Sequence, residues 1–220
     1  MVGRRIVAAF LSLVASFSFG SKAMSDEISI DPNKILFSLP TICDPMPALD
    51  ETSAPVGARW LHEDDWRQIE FVAVANRDYI GQQLTALAAF KREHWRGAGW
   101  DAIYPRAEHP TPLVATGLYL DKDQGLTTAA LTIGEPRRLV RGGFALSDGS
   151  DWFIYGQRAA DGQLVQMGVR RGDSDISDGM AEILSRFAQA AQLMLVDWER
   201  ATVVDTSSVR SVQQWAASGG

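Results

Sequence analysis

Residues 137–171 commit the chain to an antiparallel sheet before any other feature is weighed. Three strand-like runs, 137–146, 152–158 and 164–169, are joined by Ser147-Asp148-Gly149-Ser150 and by Asp161-Gly162. Both connections supply residues that accept the positive φ of tight hairpins, so the runs pair as neighbours. Gly142-Gly143 inside the first run predicts a bulge. Around this meander, 66–74 reads as a strand with Ile69 and Phe71 on one face, and 113–120 and 126–133 read as two more. Asn76 is placed to cap a helix over 77–95, with Ile80, Leu84, Leu87 and Ala88 on one stripe and Gly97 as its stop. A second helix over 178–191 carries Met180, Ile183, Leu184 and Phe187 on one face, and 193–204 reads as a last strand. Strands in hairpin order with two main amphipathic helices predict an α+β fold. Its expected form is an antiparallel sheet of about five to seven strands with the helices packed on one side.

The amino end has the order of an export signal. Arg4 and Arg5 precede an apolar run of 14 residues, 6–19, followed by Ser21-Lys22-Ala23. That run is short of the roughly 20 residues a spanning helix needs. The reading is a signal peptide over 1–23, cleaved after Ala23, and a periplasmic or secreted mature protein without a transmembrane segment. Five of the nine prolines fall in 24–57, which predicts an extended leader. A single domain is expected over 58–205 and a flexible tail over 206–220.

Cleavage takes Arg4, Arg5 and Lys22 from the 21 basic residues and none of the 27 acidic ones, moving the formal charge from −6 to −9. Such a chain repels nucleic acid on average. The one cysteine, Cys43, excludes an internal disulfide framework and a Cys-rich metal module. Gly97-Ala98-Gly99-Trp100-Asp101-Ala102 has the spacing of a dinucleotide fingerprint but follows a helix, and Trp100 would obstruct a pyrophosphate. His62-Glu63 opens like a zinc-protease motif, yet Trp66 stands where the second histidine belongs. The loops beginning at Asp121 and Asp173 lack the closing glutamate of a calcium site. No catalytic residue, metal ligand or cofactor is assigned.

Two surfaces remain. Within the acidic chain, 137–171 holds Arg137, Arg138, Arg141, Arg158, Arg170 and Arg171 against Asp148, Asp151 and Asp161. Arginine forks pair carboxylates in two-point fashion. The expectation is therefore an exported binding protein of inhibitor, immunity or assembly-accessory type. Its basic sheet face, flanked by Trp152 and Tyr155, would dock another envelope or secreted protein with an acidic surface. The alternative is a cell-envelope hydrolase or metal-binding enzyme using His62, His94 or His109 with nearby carboxylates, in a cleft lined by Trp95, Trp100, Asp101 and Tyr104. A third reading, a sensor of anionic ligands, requires the arginines to form a concave site.

Overall fold

The structure, a computed structural model, describes residues 35–43, 46–106, 108–113 and 125–218. The expected signal peptide, residues 114–120 of an expected strand and 121–124 of the first acidic loop lie outside the described residues.

The chain is α+β, and its described residues build a nine-stranded sheet. Its middle is the expected meander, β7 (Arg138–Ser147), β8 (Phe153–Arg158) and β9 (Leu164–Arg170), each antiparallel to the next. β6 (Thr127–Ile133) pairs antiparallel with β7, and β3 (Arg59–Leu61) extends the sheet by pairing parallel with β6. On the other side β4 (Ile69–Ala73) pairs with β9, β10 (Leu193–Asp197) with β4, and β11 (Thr202–Val204) with β10. β2 (Leu49–Asp50) pairs with β7 off this path, while β1 (Thr41–Cys43) and β5 (Tyr104–Arg106) form a separate parallel pair.

The strand count exceeds the expected five to seven because β2, β3 and β11 are two or three residues long, too short to display a period. The expected strand 193–204 is a hairpin, broken where Ala201 takes a φ of 54°. The bulge lies in β7. Ala130 faces Phe144 and Thr132 faces Leu139, so four β7 residues oppose Leu131 alone. Gly142 takes a φ of 67° there, and a Cβ would strike the Arg158 carbonyl.

Among the described residues three α-helices cover the sheet: α1 (Arg77–His94), α2 (Asp178–Ala190) and α3 (Val209–Ala217). They do not lie on one side. Met180, Leu184 and Phe187 of α2 and Val212 and Trp215 of α3 join Ile69, Phe71, Ile154 and Leu195 in one core. Ile80, Leu84 and Leu87 of α1 join Val72, Met194 and Val196, whose side chains alternate with the first set. β4 and β10 are apolar at both parities, so each needs a helix on either face. α3 occupies the expected flexible tail. Ser208 caps it by accepting from the Ser211 N–H at 3.1 Å, and Trp215 is buried.

Part of the described leader packs on the domain, while residues 51–57 are exposed. Phe37 exchanges backbone hydrogen bonds with Trp100 at 2.8 and 3.0 Å, and Thr41 and Cys43 are buried.

A third cluster, including Leu61, Trp66, Phe153 and Tyr155, covers the α1 face farther along the sheet. Val196, Glu70, Gly168 and Tyr155 stand opposite one another on successive strands β10, β4, β9 and β8 and so form one row across that face. The row runs from the α1 cluster to the Tyr155 cluster. Glu70 lies between them.

Candidate functional site

Glu70 has no exposed surface. Its neighbours Ile69 and Phe71 face α2, which turns Glu70 to the opposite side of β4. A lone carboxylate there would cost several kcal/mol. Five side chains meet it. Oε1 accepts from Arg106 Nη1 at 3.1 Å, His109 Nε2 at 3.0 Å and Trp198 Nε1 at 2.7 Å. Oε2 accepts from Arg67 Nε at 2.7 Å and Gln166 Nε2 at 3.1 Å. Burial pushes the Glu70 carboxyl upward, but the His109 hydrogen bond and the charges of Arg67 and Arg106 hold it well below the usual carboxylate range.

Each donor has a structural cause. Arg67 follows a single 3-10 turn, Glu63–Asp65, and takes a φ of 60°, a conformation that costs a non-glycine residue about 1–2 kcal/mol. Tyr155 fixes this reversal, its hydroxyl accepting from the Arg67 N–H at 2.7 Å and donating to the Asp65 carbonyl at 3.1 Å. Gly168 makes room for the ring, since a Cβ there would lie 2.5 Å from Tyr155 Cζ. Arg106 stands in register with Cys43 on the β1–β5 pair, and its guanidinium lies 4.7 Å from the Trp198 ring centroid. Its Nε and Nη2 are buried without partners among the described residues. His109 stacks near Trp198 at 6.3 Å, and its Nδ1 is likewise buried and unpartnered.

Asn76 does not cap α1 with its side chain. It grips the loop that carries His109 instead, donating from Nδ2 to the Thr111 carbonyl at 2.7 Å and accepting the Thr111 N–H at 2.9 Å. A cavity of about 90 Å³ opens here, lined by Arg67, Glu70, Glu108, His109, Thr111 and Gln166 among others. Glu108 stands 3.3 Å from Arg67 Nη1, with 60 % of its side chain exposed.

Five donors saturate the Glu70 oxygens, so Glu70 acts by holding the donors in place. Two buried guanidiniums share that one buried carboxylate, leaving a positive charge in excess that the half-free Glu108 meets at the rim. The arrangement suits a small anion. It also presents an imidazole oriented by a carboxylate, the supporting half of general acid–base chemistry.

Five of the six arginines of 137–171 have a partner of their own. Arg137 stacks 5.2 Å from the Trp60 ring and Arg158 4.9 Å from Phe144. Arg141 pairs with Asp50 at 3.0 Å, and Arg170 donates to the Asp151 carbonyl at 3.2 Å. Arg171 bonds Asp197 at 2.8 Å, while Arg138 is exposed on β7. Trp152 and Tyr155 are fully buried and cannot flank a docking face. Strand alternation put Trp152 and Tyr155 on opposite core faces, because both faces of β8 are covered.

The expected histidine cleft is also divided. His62 caps its own turn, Nδ1 accepting from the Asp64 N–H at 3.1 Å. His94 Nδ1 meets Asp101 at 2.8 Å, near the Trp95–Trp100 ring pair at the end of α1, and the hydrogen bond from His94 with the Arg96 charge lowers the Asp101 carboxyl. Tyr104 donates to Gln83 at 3.0 Å. Only His109 of this set joins the Glu70 cluster, and its partner is Glu70 rather than the adjacent Glu108. Among the described residues no group of three or more His, Cys, Asp or Glu could hold a metal ion, and the Asp173 loop is closed by the Asp151 carboxylate accepting the Asp173 and Ser174 N–H groups.

Arg67, Glu70, Arg106 and Gln166 escaped the sequence reading. The available signal was a glutamate inside the run Ile69-Glu70-Phe71-Val72, where Val72 shows that the Glu70 face is apolar too. No protein-family model, curated protein or solved structure matches the chain.

Proposed function

We propose that this chain is an exported binding protein that recognises a small anion in the cavity beside Glu70. The observation that carries the reading is the charge of the cluster. Arg67 and Arg106 are both buried and both spent on one buried carboxylate, so one positive charge lacks a buried counterion. Burying an unbalanced guanidinium is costly, and an anion entering the cavity would relieve that cost. The cavity beside Arg67 takes the place of the sheet face as the recognition element. The n-region and apolar run of 1–23 support export to the periplasm or beyond.

Thermal shift and titration calorimetry of the protein with acetate, propionate, phosphate and sulfate at constant ionic strength test this. At least one anion should raise the melting temperature in a saturable manner, as binding to the native state requires. Arg67→Gln should abolish that response. Equal response to all anions and to chloride would remove the reading.

A second reading, a hydrolase, draws on the buried unpartnered Nδ1 of His109 opposite its bond to Glu70. Turnover of an ester substrate lost in a folded His109→Asn variant would favour it.

A further inference from the structure

We infer that Glu108 is a tethered stand-in for the ligand's own carboxylate, and that the cavity takes a short monocarboxylate. The inference rests on the anion reading above. Glu108 reaches Arg67 Nη1 at 3.3 Å, the long end of a charge-assisted bond, and no other hydrogen bond holds its carboxylate among the described residues. With 60 % of its side chain in water, Glu108 can leave the seat at little cost in desolvation. Glu70, wholly buried and bonded five times, cannot. The backbone behind Glu108 need not move, because Asn76 holds Thr111 from both sides.

Charge selects the class. Once Glu108 swings out, the guanidiniums of Arg67 and Arg106 outnumber the Glu70 carboxylate by one, which one carboxylate balances. The Arg67 guanidinium, which lines the cavity, also matches the planar carboxylate. Shape limits the length. Val72, Leu113 and Val165 share the rest of the lining with Thr111 and Gln166, and a space of about 90 Å³ admits a few carbons but no long chain.

The test is calorimetric titration of acetate, propionate and inorganic phosphate into wild type and Glu108→Gln, with far-UV circular dichroism as the folding control and Glu108→Ala as a second variant. Removing an exposed competing ion pair should tighten propionate binding about two- to fivefold. Propionate should bind more tightly than phosphate in both proteins. Unchanged or weaker propionate binding in both folded variants overturns the stand-in role, and phosphate binding as tightly as propionate overturns the ligand class, with the anion site intact in either case. If no anion binds wild type or variants, the anion reading falls as well.

Discussion

Glu70 shows how one buried side chain can set the electrostatics of a whole face. Replacing it by glutamine keeps its shape and removes the counterion of Arg67 and Arg106. Glu70→Gln should therefore lose about 3–5 kcal/mol at neutral pH in urea unfolding, the cost of breaking a buried pair from one side. The pH dependence follows from the same carboxyl. Its folded value lies below the ordinary value near 4.3, so its stabilisation is complete above that value and lost as pH falls through and below it. Unfolding measured at pH 7 and pH 3 should show the gap between wild type and Glu70→Gln narrowing in acid. A constant gap would mean that the glutamate acts by packing alone.

Among the elements, those with a strong local pattern were legible and those made by tertiary contact were not. The meander, β4, α1 and α2 follow from turn chemistry and apolar spacing. The Gly142 bulge was visible in its glycines, and the helix stop in Gly97, whose φ is 86°. α3 was hidden because only Val212 and Trp215 of its nine residues are buried, too few for a stripe. Trp215 nevertheless joins the core and donates to the buried Asp197 at 2.9 Å. Trp215→Ala should cost about 3–5 kcal/mol by removing a large buried side chain. A loss below 1 kcal/mol in chemical denaturation would return this segment to the status of a tail. Asn76 misled for a related reason. Its position suited a helix cap, but the distant Thr111 backbone satisfied it better, and no spacing rule reveals a partner 35 residues away.

At the scale of the molecule, the site is assembled from distant stretches: Arg67 and Glu70, Arg106 to Thr111, Gln166, and Trp198. The sequence could place arginines and histidines on strands and loops, but their convergence depends on sheet order, which brings β9 and β10 to either side of β4. β1 completes the cover. Thr41 and Gln68 exchange hydrogen bonds at 2.9 and 3.1 Å, and Cys43 sits buried opposite Arg106. Burial raises the Cys43 thiol, so thiolate is scarce as well as shielded. The lone thiol is thus a natural clock for this strand. Its rate of labelling by a maleimide in the native protein reports how often β1 peels from β5 and bares the guanidinium beneath. Reaction as fast as a free thiol would mean that the cover is open most of the time. Slow labelling, accelerated in a Thr41→Val variant, would time the door of the charge cluster without any added probe site.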